Sequence, residues 1–362
     1  MSPHEQSGAV TGRQIVTDRR TPRDDGFAMP PEWAAHQLTL MSWPCRPETY
    51  VASSRGFGPE AYEQAKVQQA AVANAVCEFE PVLMLAREQQ LGEARRMLSA
   101  RIELIECELD DSWMRDNGPI FVRDAQGRVA LVHFGFNGWG DRSQPTGCDS
   151  RVPEVIAAHL GVRRYVAPMV FEGGSFFVDG EGTMITTEQC LLHENRNPEM
   201  SREQIESTLS DYLGIERIVW LGEGHYEDFS TDGHIDDVAH FLAPGRVILH
   251  APSNPAHPDR QKGIDNARRL RATPDARGRT IEVVEFDTGQ PGGIPYLNLY
   301  VCNGGIVAPI AGTPDDEAAL TQIRAAYPGR EILTVQSDVL FLAGGGGPHC
   351  ITQQVPAGTF AH

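Results

Sequence analysis

A strand–turn–strand pattern recurs four times along the chain, and this repeat constrains the fold more than any other feature of the sequence. The four copies read PIFVRDAQGRVALVHF, SFFVDGEGTMITTE, AHFLAPGRVILHAP and LYVCNGGIVAPI, and they begin near residues 119, 175, 239 and 299. Each copy has two apolar runs around a turn that contains glycine, which is typical of a β-hairpin. Their regular spacing predicts a repeated structural unit.

Each hairpin is followed by a helix-like stretch and then by another apolar run, so the predicted unit is ββαβ. After the second hairpin, for example, REQIESTLSDYLG precedes RIVWL. A fifth unit is split, because LTLMSWP near the N-terminus needs the last part of the chain to complete it. Units that cannot bury their apolar faces alone must pack on one another. We therefore expect an α/β fold in which five ββαβ units close into a five-bladed propeller around a central pit. The hairpins argue against a doubly wound sheet, which alternates single strands and helices.

The N-terminal 25 residues differ from the rest of the chain. Residues 1–25 are polar and lack the apolar core of a signal peptide, so we predict a disordered tail followed by a single catalytic domain over residues 26–362. No stretch approaches the roughly 20 apolar residues of a membrane-spanning helix. We expect a cytoplasmic protein that does not contact membranes.

Charge and cysteine content restrict the class of partner. The formal net charge is −18, which favours a cationic partner and disfavours nucleic acid. The seven cysteines are scattered and never in CxxC spacing, so neither a disulfide framework nor a zinc ribbon is indicated.

Polar residues of chemical interest adjoin the hairpins. They lie in ELDDSWMRDNGPI (Trp113, Asp116), FEGGSFF (Glu172), TDGHIDDVAHF (His234, Asp236) and GGGGPHC (Cys350). If the repeats close into a ring, these equivalent strand ends face one central pit.

His234 and Asp236 are two residues apart, and on a strand such residues share a face. A surface-facing polar pair is the alternative interpretation. Four further histidines lie nearby in the sequence, so a zinc site must be considered: His225, His240, His250 and His257. There is no HExxH motif, and H-x-D alone is weak, so we predict no metal.

Cys350 follows four glycines, which allow the backbone to come close to a ligand. A lone cysteine is more often a small buried apolar residue, but here polar TQQ follows it. His349 is its neighbour, and because adjacent residues on a strand point to opposite faces, we do not assign His349 as the base. For the other candidates the alternatives are core packing for Trp113, an ion pair with Arg115 for Asp116 and a turn position for Glu172.

One thiol, one imidazole and an excess of carboxylates together suggest a substrate that is positively charged. Carboxylates bind a planar guanidinium in a bidentate manner, and an aromatic ring such as Trp113 can cover the cation. A Cys–His pair with a single orienting group would instead suit acyl transfer.

With these segments in view, the chain resembles the agmatine deiminase and bacterial-type peptidylarginine deiminase family, within the pentein superfamily that modifies guanidino groups. The matching stretches run in the family's order from about Phe27 to Pro356 and include LDDSWMRDNGPIFV, FNGWG, EGGSFFVDGEGT, TDGHIDDVAHFLAPGRVILH and AGGGGPHCITQQ. The resemblance implies the pentein five-bladed α/β propeller. It also implies roles for six residues: Cys350 as nucleophile, His234 as general acid/base, Glu172 as its supporting acid, Asp116 and Asp236 as the guanidinium clamp, and Trp113 as a substrate contact.

The resemblance implies hydrolysis of a guanidine through a covalent thiouronium on Cys350, without a cofactor or a metal. Agmatine, converted to N-carbamoylputrescine and ammonia, is the leading substrate. The alternatives are another alkylguanidine, an arginine derivative, amidino transfer to an amine, a papain-like hydrolase and a non-catalytic binding module. We also expect a homo-oligomer, a dimer or a tetramer. Three departures from the family pattern bear on specificity: Phe177 in place of histidine, Gly347–Pro348 before His349, and a shortened loop at 287–296.

Overall fold

The computed structural model describes residues 20–51, 56–287 and 291–362. Its strands are β1 (Phe27–Ala28), β2 (His36–Ser42), β3 (Val82–Ala86), β4 (Glu103–Glu106), β5 (Ile120–Asp124), β6 (Arg128–Gly135), β7 (Arg164–Val170), β8 (Phe176–Val178), β9 (Thr183–Thr187), β10 (Arg217–Leu221), β11 (Ala239–Ala243), β12 (Arg246–His250), β13 (Glu282–Phe286), β14 (Tyr300–Cys302), β15 (Gly305–Ile310), β16 (Glu331–Gln336), β17 (Thr352–Pro356) and β18 (Thr359–Phe360). Its α-helices are α1 (Glu48–Val51), α2 (Glu60–Val76), α3 (Leu91–Met97), α4 (Met114–Asn117), α5 (Gly138–Asp141), α6 (Val152–Leu160), α7 (Glu188–Leu191), α8 (Arg202–Leu213), α9 (Arg260–Ala272) and α10 (Asp315–Ala326).

The strands in the described ranges form five small sheets that share one pattern. Four sheets contain a predicted hairpin. In each, the second strand of the hairpin pairs in parallel with a third strand, which follows a helix in the sequence: β5–β6–β7, β8–β9–β10, β11–β12–β13 and β14–β15–β16. The fold is therefore mixed α/β, and the predicted ββαβ unit recurs in it.

The remaining sheet joins the two ends of the chain. Strand β17, after Cys350, pairs antiparallel with β2, with Thr352 opposite Met41, and β2 continues into parallel β3 and β4. This arrangement is the split fifth unit that the sequence predicts. In addition β1 and β18 extend the β5–β6 sheet, so both ends of the described chain are hydrogen-bonded into sheets.

Helix α8 illustrates how local sequence specifies the helix of a unit. Ser201 caps its first turn and forms a capping box with Gln204, which satisfies two backbone N–H groups that the helix leaves open. Ile205 and Leu209 recur at helical spacing and are buried against the β7–β8 region. Burial of each such side chain stabilises the fold by about 1.5–3 kcal/mol. The helix ends at Gly214, whose φ of 73° favours glycine.

The segment just before the first strand of each hairpin is short and irregular. It is α4 before β5, the 3₁₀ turn Gly173–Ser175 before β8, the 3₁₀ turn Ile235–Asp237 before β11, and turns before β14 and β17. Four of these segments, or the residues directly before them, carry the candidate site residues, and the turn before β11 carries two of them, His234 and Asp236.

The predicted tail over residues 1–25 is only partly covered by the structure. Residues 1–19 lie outside the described residues. Arg23–Asp25 form a 3₁₀ turn, and Asp25 accepts a hydrogen bond from Tyr165 Oη at 2.6 Å and lies 3.0 Å from the guanidinium of Arg163. Asp25 is therefore anchored to the domain through Tyr165 and Arg163.

Across the described ranges, no helix has the combination of length and apolar character that a membrane crossing requires.

Candidate active site

One cavity of about 320 Å³ opens next to the irregular segments, and its walls include four residues that the sequence singles out by type or motif: Trp113, Asp116, Trp139 and Cys350. Two arginines, Arg46 and Arg142, line it as well. The indole of Trp113 is 4% exposed, so it is largely packed but still forms part of the cavity wall. The two interpretations of Trp113, core packing and substrate contact, are therefore compatible.

Cys350 lies in a turn and not on a strand, because β17 begins only at Thr352. Its carbonyl oxygen accepts a hydrogen bond from the Arg115 N–H at 3.1 Å. Its Sγ lies 3.0 Å from Asn298 Nδ2 and 3.4 Å from Asp236 Oδ2. The premise used to set His349 aside, opposite faces of a strand, is therefore wrong.

The glycine run has a steric reason. A Cβ on Gly346 would lie 3.0 Å from Cys350 Sγ and 2.6 Å from the ring of Trp113. Only glycine lets the backbone pass this close to the thiol and the indole.

His234 and Asp236 belong to a 3₁₀ turn, in which His234 is the N-cap of Ile235–Asp237. The predicted strand is thus wrong for this pair, because β11 starts three residues after Asp236, at Ala239. The turn nevertheless brings both side chains to the same place, with His234 Nδ1 4.0 Å from Asp236 Oδ1. Both residues are about 1% exposed, which excludes a surface-facing pair.

Asp116 faces the same imidazole from α4. Its Oδ2 lies 3.8 Å from His234 Nδ1 and accepts a hydrogen bond from Trp139 Nε1 at 2.9 Å. Its Oδ1 accepts from the Gly174 N–H at 2.9 Å. These contacts replace the ion pair with Arg115 that was the alternative interpretation of Asp116.

Gly174 holds these groups together by its lack of a side chain. A Cβ at this position would lie 2.6 Å from His234 Nδ1 and 2.9 Å from Asp116 Oδ1. The E-G-G motif therefore lets the backbone pass between the imidazole and the acid.

Glu172 approaches the other ring nitrogen of His234, with Oε2 3.8 Å from Nε2. Its Oε1 accepts a hydrogen bond from Arg196 Nε at 2.6 Å, and Arg196 in turn contacts Asp232 at 2.8 Å. Glu172 is thus a buried, ion-paired carboxylate and not merely a turn residue.

Two buried polar atoms at this centre have no hydrogen-bond partner among the described residues: His234 Nε2 and Asp236 Oδ1. An unsatisfied buried polar atom costs about 1–3 kcal/mol. His234 Nε2 faces Glu172 Oε2 at 3.8 Å, whereas Asp236 Oδ1 can accept an N–H from a guanidinium.

The electrostatics of the protein's own groups oppose a free thiolate. Burial raises the pKa of the Cys350 thiol well above its usual value, and the nearby carboxylates of Asp236, Asp237 and Asp116 raise it further. Burial alone would lower the pKa of His234, but Asp116, Cys190 and Glu172 raise it well above 6.5. Both shifts favour a neutral thiol on Cys350 and a charged ring on His234.

Burial also raises the pKa of Asp116. It opposes ionisation of Asp236, but His349 outweighs it and lowers the pKa of that carboxyl. The two carboxylates that the resemblance assigns to one clamp are thus held in different electrostatic environments.

Sequence reasoning missed Asn298, which donates to both Cys350 Sγ and Asp237 Oδ1, the latter at 2.9 Å. A signal was present, because Asn298 precedes β14 just as Asp116, Glu172, His234 and Cys350 precede the first strand of their own units. It also missed the contacts of His349 and Glu32, which depend on tertiary packing.

Three of the histidines considered for zinc do lie together. His225 Nε2 is 3.5 Å and His250 Nε2 is 3.3 Å from Asp259 Oδ2. The ring of His257 lies 5.5 Å from that of His250. His225 Nδ1 accepts a hydrogen bond from the Glu227 N–H, and His257 Nδ1 accepts one from the Asp259 N–H. The neutral forms of His225 and His257 therefore carry their proton on Nε2, and for His225 that nitrogen faces the Asp259 carboxylate, which suits a proton donor better than a metal ligand.

Comparisons with known proteins agree with the motifs. Residues 28–356 match the sequence model of the family described as "Porphyromonas-type peptidyl-arginine deiminase". A Streptomyces coelicolor protein named "Putative agmatine deiminase" is 40% identical over 342 residues, which cover 91% of this chain and 99% of that protein.

Solved structures are also similar. The agmatine deiminase of Enterococcus faecalis has a TM-score of 0.86 at 34% identity and covers 95% of this chain and 99% of its own. A cysteine-to-serine variant of the C. jejuni agmatine deiminase, with substrate bound, has a TM-score of 0.81 at 26% identity, covering 92% and 97%. The family resemblance inferred from the motifs is confirmed: the chain belongs to the agmatine deiminase and Porphyromonas-type peptidyl-arginine deiminase family of pentein-fold hydrolases.

Proposed function

We propose that this protein hydrolyses a guanidine to a ureido product and ammonia through a covalent adduct on Cys350. The observation that carries the proposal is the convergence of a buried thiol, an imidazolium and three carboxylates beside one cavity, with Asp236 Oδ1 and His234 Nε2 left unpartnered among the described residues. The names of the relatives support the same reaction class.

The roles follow from the contacts. Asp116 and Asp236 bind the N–H groups of the guanidinium and hold its central carbon near Cys350 Sγ. The bound guanidinium causes the Cys350 thiol to release its proton to solvent, and the resulting thiolate forms a bond to that carbon and gives a tetrahedral adduct. His234 then donates its proton to the departing nitrogen, the C–N bond breaks, and ammonia leaves a thiouronium on Cys350.

The second half regenerates the enzyme. Neutral His234 accepts a proton from a water that attacks the thiouronium carbon. The C–S bond then breaks, the ureido product leaves and the sulfur recovers a proton. Glu172, fixed by Arg196, holds the histidine and favours its charged form.

The substrate brings a positive charge to the sulfur, where the neighbouring carboxylates of the protein act against ionisation. Because the pKa of Cys350 is raised by burial and by neighbouring acids, the thiol needs an added positive charge to ionise. A bound guanidinium provides that charge, so binding and activation of the nucleophile are coupled. A neutral amide would not have this effect, which distinguishes the proposal from a papain-like hydrolase.

Agmatine is the leading substrate, in line with the names of the relatives. A guanidine with an acidic group is a second candidate, because Arg46 and Arg142 line the cavity. Arg46 donates to Ser143 Oγ at 2.8 Å and to the Gln144 carbonyl at 2.7 Å, both neutral acceptors, and it acts electrostatically on the carboxyl of Asp111. Capture of the thiouronium by an amine in place of water would give amidino transfer.

We further propose that the five sheets close into a five-bladed propeller around this cavity. The support is that every site segment occupies the same position in its unit, directly before the first strand of a hairpin. Part of the shortened 287–296 loop, residues 288–290, lies outside the described residues.

The test is ammonia release from agmatine, L-arginine, a peptidyl arginine, a guanidino acid and short alkylguanidines, with Cys350→Ala as control. We expect release that the control abolishes, strongest with agmatine. Preference for the guanidino acid, lost in Arg46→Gln, would identify the second candidate. If added amines give amidino products in place of the ureido product, the reaction is amidino transfer. No product from any guanidine would contradict the proposal.

A further inference from the structure

The imidazole of His349 lies between two carboxylates beside the thiol. Its Nδ1 is 2.8 Å from Asp236 Oδ2, and its Nε2 is 2.9 Å from Glu32 Oε2. The residue is 1% exposed. An ionised carboxylate can only accept hydrogen bonds, so satisfying both contacts requires a proton on each ring nitrogen. The arrangement is that of an imidazolium held by two anions.

Glu32 is itself held in place. Its Oε1 accepts a hydrogen bond from the Val301 N–H at 3.2 Å, and its Oε2 lies 4.0 Å from the guanidinium of Arg115. Arg115 also donates from Nε to the His349 carbonyl at 3.3 Å. Glu32 therefore contacts His349 from a fixed position, although it is far from Cys350 in the sequence.

Asp236 divides its two oxygens between different partners. Oδ2 contacts both His349 Nδ1 and Cys350 Sγ, whereas Oδ1 has no partner within the described residues. The hydrogen bond from His349 thus fixes the rotation of the carboxylate. As a result, Oδ1 is the oxygen that remains for a substrate.

We propose that Glu32 and His349 are positioning residues for the reaction: the pair fixes Asp236 through one oxygen and places a permanent positive charge behind it, so that Asp236 presents Oδ1 to the guanidinium as an ionised carboxylate. This inference rests on the proposed function, because it assigns the pair a task in that reaction.

The surrounding charges agree with this role. The groups that face His349 are Asp236, Glu32, Arg115, His240 and Cys350. Burial and Arg115 act against the charged ring, but the two carboxylates outweigh them and raise its pKa above 6.5. Burial likewise opposes ionisation of Glu32, yet His349 lowers its pKa to about 2.

Phe177 closes one side of this group. Its ring lies 5.0 Å from that of His349 and 5.5 Å from that of His240, and the residue is 9% exposed. A phenyl ring offers neither a proton nor a hydrogen-bond acceptor to compete with Asp236 and Glu32. Phe177 stands where the family usually has a histidine. The side chain at this position therefore does not compete for the proton of His349, which is held by the two carboxylates.

The first test compares His349→Gln with the wild type in pH profiles of kcat/KM. Without the positive charge Asp236 is easier to protonate, so we expect the acid limb to move to higher pH and kcat/KM at neutral pH to fall about 10- to 100-fold. In Glu32→Gln the imidazolium loses one anion, and we expect the basic limb to move to lower pH. Unchanged limbs in both folded variants would overturn the proposal.

Glu80→Gln is the matched control. Glu80 Oε1 forms a buried contact of 2.9 Å with His36 Nδ1, and His36 Nε2 contacts the Glu32 backbone carbonyl at 2.6 Å. The variant therefore breaks the same chemical pair without touching Asp236, Cys350 or the Glu32 carboxylate. It should leave both pH limbs in place. If it moves them as much as Glu32→Gln does, the effect is a general one of disturbing the core, and the positioning role is wrong.

A second readout does not need turnover. The pH dependence of Cys350 alkylation by iodoacetamide, followed by mass spectrometry, should move to higher pH in His349→Gln because a positive charge near the sulfur is lost. If no guanidine is turned over but this shift occurs, the electrostatic role of the pair stands and the proposed reaction fails. If guanidines are turned over and the alkylation profile is unchanged, the pair has no such role.

The wild type alone supplies a third measurement should the variants fail to fold. ¹⁵N NMR of histidine-labelled protein, with the ring resonances of His349 assigned, should find both of its nitrogens protonated through neutral pH. The assignment separates His349 from His36, whose two ring nitrogens also contact acceptors, the Glu80 carboxylate and the Glu32 carbonyl. A singly protonated His349 ring would overturn the inference.

Discussion

Two buried histidine–carboxylate groups in this protein have opposite character. His36 contacts Glu80 at 2.9 Å, and Glu80 also accepts from the Thr39 hydroxyl and from the Asn303 N–H at 2.8 Å. His234, in contrast, lies 3.8–4.0 Å from each of its three acids, and its Nε2 has no partner in the described chain.

This difference separates structural from reactive polar groups. Native structures satisfy buried polar atoms unless something else requires them open. The His36–Glu80 group has nothing left to bind, so its value lies in holding β2 and neighbouring segments together. The His234 group retains free hydrogen-bonding capacity, which a substrate can use.

The largest effect should come from Cys350→Ala, which removes the proposed nucleophile beside the His234 group. We expect ammonia release to fall by about 10⁴-fold or more, while binding of a guanidine, measured by calorimetry, persists. Cys302→Ala is the matched control, because Cys302 is equally buried in β14 and should leave turnover near the wild-type value. Comparable losses in the two variants would rule out a special role for Cys350.

The next effect should come from His234→Gln. Loss of a general acid and base lowers rates by about 10²–10⁴-fold, and we expect kcat to fall within this range. His36→Gln removes the histidine of the satisfied group and should destabilise the protein while leaving kcat almost unchanged. The reverse pattern would show that the two groups have been assigned the wrong way round.

Glu80→Gln should reduce stability and not chemistry. Breaking a buried ion pair by changing one partner costs about 3–5 kcal/mol, and we expect a loss near the lower end because the amide keeps some hydrogen bonds. Urea unfolding measures the change, and the kcat/KM of the folded variant should stay within about twofold of the wild type. A large drop in kcat/KM would mean that the satisfied group supports the site directly.

The smallest effect concerns acid stability. The folded pKa of Glu32 is about 2 against a usual value of 4.5. Its folded pKa is lowered, so its contribution to stability is present above about pH 4.5 and is lost as the pH falls toward 2. Unfolding free energies measured across this window should fall less steeply in Glu32→Gln, whereas equal slopes would show that Glu32 is not held by His349.

The sequence predicted the units well because hairpins and helices are local patterns. The apolar runs of each hairpin are adjacent in the chain. The split unit could be predicted because LTLMSWP reads as a strand with no hairpin partner next to it in the sequence. The sequence also predicted that the candidate residues lie close to one another, because each one stands just before the first strand of its unit. The six predicted side chains all lie together: Trp113, Asp116, Glu172, His234, Asp236 and Cys350.

The sequence failed where the answer depends on distant side chains. His234 and Asp236 were predicted to lie on a strand. Gly233 and the 3₁₀ turn after it give the backbone a different path, which still brings the two side chains together. The contact of Glu32 with His349 spans 317 positions in the sequence, and no local pattern signals it. Asn298 could have been found from its equivalent position in the repeat.

The pairing of β17 with β2 also has a consequence for how the protein is made. Strand β17 follows β2 by about 310 positions in the sequence. During translation the edge of β2 therefore stays without its partner until almost all of the five units have been made. The thiol joins its acids late in synthesis, so nascent chains stalled before Thr352 should be inactive and should gain activity only when the missing segment is supplied.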